Sequence, residues 1–248
     1  MGVAMSLMRR HQQAVREAAS EGTPHAGHPG GHTGGHVLDV MPTGLMGGSQ
    51  LAAMLDASLA EDLAMLHDVA SIERKAEIKR ERLIPKYRDY AARLMGEGAR
   101  HELLGYYIVW CFDAGHIEEG LRVAAWAMEH GQPLPERFRA GLPLFVATQT
   151  LEWAEREYNA GRAFEPYLSQ AQELACSGGD VPDDTVALFH RLRGLRAESD
   201  GDLATAEREL ARAFDLGAKV KTALEGVRKR LARTTETNVT PPASHPEG

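Results

Sequence analysis

Between Ser49 and Ile84 the chain has neither glycine nor proline, and Leu51, Leu55, Leu59, Leu63, Leu66, Val69, Ile72 and Ala76 recur at steps of three or four. That spacing lays one apolar stripe along a helix. Ser49 is placed to cap its start and Pro85 to interrupt it; unbroken, it would run roughly 50 Å at ~1.5 Å per residue. Two helices in a tight hairpin fit the same pattern. A stripe of this length needs a partner, either the protein's own core or another copy, so Leu51, Leu55, Leu59, Leu63 and Leu66 are the candidate oligomerisation residues.

From Glu102 onward the helical pattern is punctuated by glycine turns. In residues 113–131 and 199–217 small or apolar residues fall at matching offsets: Gly115 with Gly201, Ile117 with Leu203, Gly120 with Ala206, Ala124 with Leu210, Ala127 with Ala213 and Gly131 with Gly217. A looser copy surrounds Gly161. Each copy reads as a helix, a glycine turn and a second helix whose small residues permit close packing. The expected fold is therefore all-α: a long N-terminal helix or helical hairpin followed by stacked hairpins resembling tetratricopeptide repeats. Residues 1–48 read as a short polar helix and a flexible Gly/His-rich linker, 49–100 as a basic helical region, 101–233 as the hairpin domain and 234–248 as a disordered tail.

Composition narrows the class. A 43% hydrophobic content over 248 residues is enough for a sizeable core. No run approaches the ~20 consecutive apolar residues of a membrane span. At the N-terminus the charges follow the short apolar stretch, the reverse of a secretory leader, so a cytoplasmic protein without membrane contact is expected. Cys111 and Cys176 form no CxxC pair and read as idle thiols in a reducing compartment. The formal net charge of -7 means that any contact with nucleic acid must come from a local basic surface.

The most conspicuous chemistry is the cluster His25, His28, His32 and His36, four histidines within twelve positions. A zinc site needs a frame that holds its ligands, and glycine on nearly every side supplies none, so neither a metal nor another cofactor is expected. No GxxxxGK[ST] loop, GxSxG elbow or HExxH helix occurs, and no catalytic residue is assigned. The pairs Glu118-Glu119 and Asp183-Asp184 sit at a turn and at a helix start respectively, and acidic groups in the first turn of a helix complement its dipole, which is a sufficient structural reason for them.

Two stretches stand out against the acidic whole. Residues 72–88 hold seven basic side chains (Arg74, Lys75, Lys79, Arg80, Arg82, Lys86, Arg88) against three acidic ones, and residues 219–233 hold six (Lys219, Lys221, Arg228, Lys229, Arg230, Arg233) against one. On a helix, Lys75, Lys79, Arg82 and Lys86 would be spaced along one face, where they could meet successive phosphates of a duplex. A solvated face laced with Glu to Lys or Arg pairs fits the first stretch as well, and the second could serve only to keep a terminal helix soluble.

The order of features in residues 83–138 resembles the small terminase subunit of temperate, contractile-tailed phages of the Peduovirus type. Leu83 and Pro85 follow a basic helix, then come Trp110, Asp113 and Gly115, then His130-Gly131 and the loop Pro133-x-Pro135-x-Arg137-Phe138. The resemblance implies a DNA-packaging factor that binds double-stranded phage DNA at the packaging site, assembles into a ring-like homo-oligomer and delivers DNA to the large terminase subunit in the bacterial host cytoplasm. The candidate DNA-binding residues are then Arg74, Lys75, Lys79, Arg80, Arg82, Lys86, Arg88, Lys219, Lys221, Arg228, Lys229 and Arg230. This family is also labelled the endonuclease subunit, a property expected of the assembled enzyme. Where acidic pairs are expected in the family this chain has Arg100-His101-Glu102 and Thr148-Gln149, which weakens a catalytic role for such carboxylates. A metal-dependent endonuclease and a repeat-type adaptor that binds only proteins remain the alternatives.

Overall fold

The computed structural model describes residues 48–179 and 181–239, with side chains at 50, 52–179 and 181–234. The His cluster, the short polar helix before it, the side chain of Leu51 and the chain beyond Val239 lie outside the described residues. The chain divides into two compact units, Met1–Met54 and Leu55–Gly248. Of the first, the described part is the opening of one helix. The second holds everything that follows, and no strand occurs among the described residues.

Helix α1 spans Gly48–Asp68. The apolar stripe continues past its end, but the helix does not. Ser71 adopts an extended backbone and its hydroxyl accepts from the Arg74 amide at 3.2 Å, capping a new helix α2 at Ile72–Ile78. Serine followed by an acid in the next turn is the sequence signal for that break. Five residues of π-helix, Lys79–Leu83, then lead into α3, Ile84–Gly96. Pro85 has no N–H to give, and an α-helix through it would leave a carbonyl unpaired and clashing. The wide turn supplies the adjustment, with the Ile84 amide reaching back to the Lys79 carbonyl. The expected interruption at Pro85 is thus a bulge rather than an end.

The face of α1 that packs inward carries Leu55, Leu59, Asp62 and Leu66, all buried, whereas Leu63 is half-exposed. Asp62 sits among leucines because α3 brings partners for it. Its carboxylate accepts from Tyr87 Oη and from Lys86 Nζ, each at 2.7 Å, and Tyr87 Oη also reaches Ser58 Oγ at 3.1 Å. Burial and the neighbouring carboxylate push the Tyr87 hydroxyl far above its ordinary pKa.

Helix α4, Glu102–Ala114, is apolar almost all round and is correspondingly buried along its length. Leu103, Leu104, Tyr107, Ile108, Trp110 and Cys111 are fully inaccessible. The α2–α3 segment packs on one side of α4, and α5, Ile117–Glu129, on another. Gly105 is what lets the following loop lie against α4: a Cβ there would stand 2.9 Å from Pro133 O and from Pro135 Cδ.

Next come α6 (Leu142–Asn159), α7 (Tyr167–Gly178), α8 (Asp183–Asp200), α9 (Leu203–Asp215) and α10 (Lys221–Val239). Sequence neighbours form hairpins α4/α5, α6/α7 and α8/α9, and α5 also packs on α7 as α6 does on α8. This arrangement does not conflict with repeat-like stacking. The internal match is repeated in the backbone. Gly115 and Gly201 both take the left-handed conformation, at φ 80° and 85°. The residue after each bonds back to the carbonyl five positions earlier, His116 to Cys111 at 2.8 Å and Asp202 to Ala197 at 2.9 Å. Arg162 does the same to Glu157 at 2.8 Å in the looser copy. Ala206, Leu210 and Ala213 of α9 form a core with Val220, Leu224 and Val227 around α10.

Candidate nucleic-acid interface

The structure separates the basic residues of α2–α3 into those that hold the helix in place and those that face outward. Lys79 Nζ, largely buried, donates to Asp113 Oδ2 near the end of α4. Arg80 Nε donates to the Ala114 carbonyl at 3.2 Å. Both cations thereby meet the negative end of the α4 dipole. Lys86 is taken by Asp62 on α1, and Arg88 reaches across to Glu119 on α5 at 3.3 Å. Arg74 pairs locally with Glu77 at 2.8 Å. Lys75 has no carboxylate partner among the described residues, and neither has Arg82, whose guanidinium lies 3.5 Å from Met65 Sδ. The cations of this segment without a carboxylate partner among the described residues are therefore Lys75, which is half-buried, Arg80, which also holds the Ala114 carbonyl, and the exposed Arg82.

Glu119 is the junction of the region, and the reading of residues as helix-start acids missed it. Its Oε1 accepts from Tyr107 Oη at 2.6 Å, Arg88 grips both carboxylate oxygens, and Arg122 approaches at 3.8 Å. Burial by itself would raise the Glu119 pKa. The hydrogen bonds from Tyr107 and Arg88 and the charges of Arg88 and Arg122 outweigh it and hold the carboxyl below its ordinary range. The Cys111 thiol is pushed up by burial, with Glu119 adding to the shift, so it stays protonated and unreactive. The sequence signal for this junction was Tyr107 and Glu119 on facing helices of one hairpin, but the pairing with Arg88 is non-local.

The second basic stretch lies on α10. Arg228 pairs with Glu207 of α9 at 2.8 Å and Arg230 with Glu198 of α8 at 3.0 Å, so these two tie the terminal helix down. Lys221 stands 3.9 Å from Glu225, both highly exposed. Lys219 and Lys229 are exposed with no carboxylate partner among the described residues. The ion pairs of Arg228 and Arg230 thus run to α9 and α8 rather than to the α2–α3 segment.

The candidate oligomerisation leucines are placed mostly inside the single chain. Leu55, Leu59 and Leu66 are 4%, 2% and 7% exposed, which leaves Leu63 as the half-exposed member. Met54 and Ile72 are the exposed large apolar side chains of the segment. Among the described residues no three His, Cys, Asp or Glu side chains are grouped so as to hold a metal ion. No described helix is long and apolar enough to cross a membrane.

Comparison with known proteins bears on what these surfaces serve. The family model for the phage small terminase subunit matches residues 56–184, just over half of the chain, from α1 to the start of α8. A protein of Escherichia phage P2 named "Terminase, endonuclease subunit" is 30% identical over 178 residues, 71% of this chain and 69% of the relative. Another from Haemophilus phage HP1, named "Probable terminase, endonuclease subunit", is 32% identical over 120 residues, 48% of this chain and 43% of the relative, so the chain spans less than half of that protein. No solved structure matches the chain. With a family match over the α1–α7 body and a relative aligned along most of both chains, this protein belongs to the phage small terminase subunit family, whose work is phage DNA packaging.

Proposed function

We propose that this chain binds packaging-site duplex DNA, assembles into a homo-oligomer and delivers the DNA to the large terminase subunit in the host cytoplasm. The observation that supports this most is the division of labour on α2–α3. Lys79, Lys86 and Arg88 fasten the helix to α4, α1 and α5, and Lys75, Arg80 and Arg82 are left on a segment that cannot swing away. A fixed row of cations loses little conformational entropy on meeting phosphates. Lys219, just before α10, and Lys221 and Lys229 on it form a second set. Each set is small, so useful affinity requires several copies acting on one duplex, which is the physical reason to expect an oligomer.

The endonuclease in the relatives' names is read here as a property of the assembled terminase, with cutting and ATP hydrolysis in the large subunit. Native mass measurement with and without a packaging-site duplex tests the proposal. It expects a multimeric particle that takes up DNA at low salt. Single chains that ignore the duplex, or magnesium-dependent nicking by this chain alone, would overturn it.

A further inference from the structure

A group of exposed arginines lies where the loop after α5 crosses the start of α4. The loop is pinned rather than loose. Gln132, 5% exposed, accepts from the His101 amide at 2.9 Å and donates to Pro133 O at 2.9 Å. Pro133 and Pro135 press on Gly105, and the Phe138 amide bonds to Pro135 O at 2.8 Å. On this rigid base the Arg137 guanidinium lies 5.1 Å from the Tyr106 ring centre and 4.9 Å from that of Phe138. Arg100 reaches only the Gly131 carbonyl, at 3.3 Å, and Arg139 is exposed. None of these three arginines has a carboxylate partner among the described residues, although most other described arginines do. Beside them the exposed His130 ring stacks on Trp126 with centres 4.2 Å apart.

We infer that this patch docks an acidic segment of a partner protein, one that carries carboxylates next to an apolar anchor. Guanidinium forks held against aromatic faces suit bidentate capture of isolated carboxylates. Arginine, tyrosine and tryptophan together are the composition of protein-interface hot spots. The charge balance speaks for a protein rather than a duplex. Glu102, Glu129 and Glu136 are exposed among the same residues, so the patch as a whole has no net positive charge. A duplex presents about one phosphate charge per 1.7 Å and would meet those glutamates wherever it met the arginines. A peptide can place its carboxylates on the arginines alone. The inference is independent of the DNA-binding proposal, which rests on other residues.

The test uses the full chain and a fluorescein-labelled twelve-residue peptide in which glutamates alternate with phenylalanine and leucine, read by anisotropy. Saturable binding is expected, weakened at least about tenfold in the triple variant Arg100→Glu, Arg137→Glu, Arg139→Glu. Arg137→Lys, which keeps the charge and loses the fork, is expected to weaken it about threefold. The affinity of the triple variant for a 30-base-pair duplex should stay within about twofold of the parent. Should the triple variant fail to fold, Arg139→Glu, whose exposed side chain makes no hydrogen bond or ion pair among the described residues, carries the same comparison with a smaller effect. No binding by the parent, equal binding of a peptide with lysine in place of glutamate, undiminished peptide binding by the variants, or loss of duplex affinity along with it would overturn the inference.

Discussion

Replacing Asp62 by alanine tests whether the α1 stripe is an internal seam. Asp62 is 8% exposed and accepts two hydrogen bonds on one oxygen, from Tyr87 and Lys86. Losing a buried bond from a hydroxyl to a charged acceptor costs about 1.5–3 kcal/mol. Two features temper the loss. Tyr87 keeps Ser58, at 3.1 Å, and Lys86 is one-third exposed and can turn to water, so its pairing adds no more than about 1 kcal/mol. The expected destabilisation is about 2–3 kcal/mol, a large share of the 5–15 kcal/mol typical of a domain. In urea, with a slope of about 2 kcal/mol per molar, the midpoint should fall by roughly 1 M. Asp62→Asn keeps an acceptor for Tyr87 and should cost about half as much. A loss below about 0.5 kcal/mol for Asp62→Ala would refute the reasoning, because it would mean that α1 is not held against α3 in the free protein.

Other expectations follow from the same contacts. Glu119→Gln removes the charge that gathers Arg88 and Arg122 and should cost about 1 kcal/mol at neutral pH by thermal or urea unfolding. Because the folded carboxyl is held below its ordinary pKa, its contribution is complete above the unfolded glutamate value of about 4.3 and is lost as pH falls through the folded one, so parent and variant should converge in acid. A constant gap down to low pH would contradict this. Gly201→Ala places a side chain at φ 85° with no neighbour within 4 Å, so backbone strain alone should cost about 1–2 kcal/mol in the same assay. A neutral substitution would mean that the turn is not left-handed in solution.

Local pattern carried much of the fold, and non-local pairing decided most of the site. The matched glycines at 115 and 201 were visible because a left-handed turn demands that residue type, and the hydrogen bonds around them agree to 0.1 Å between copies. The buried face of α1 was legible only in part. Counting apolar residues put Leu63 in the stripe, whereas the packed position is Asp62, chosen by a tyrosine and a lysine some 25 residues away. The basic stretch shows the same limit. Lys79 and Arg82 look alike in sequence, yet one is fastened to Asp113 and the other faces outward, a difference set by the π turn and by where α4 ends. A triple reversal that included Lys79 would therefore confound unfastening of the helix with loss of phosphate contact. The patch around Arg137 was visible as a motif, Pro-x-Pro-x-Arg-Phe, without its chemistry, because its stacking partner Tyr106 belongs to another helix.

The most direct test of the DNA-binding proposal is the salt dependence of affinity for a packaging-site duplex, compared between the parent and the variant Lys75→Ala, Arg80→Ala, Arg82→Ala. Each phosphate contact contributes about 0.9 to the slope of log affinity against log salt. The variant is expected to stay folded, losing about 1 kcal/mol in urea with the Arg80 bond to the Ala114 carbonyl, and to show a slope shallower by about 2.7 for each protomer that touches DNA. A folded variant with the parent's slope and affinity would contradict the proposal that this helix is the DNA-binding surface.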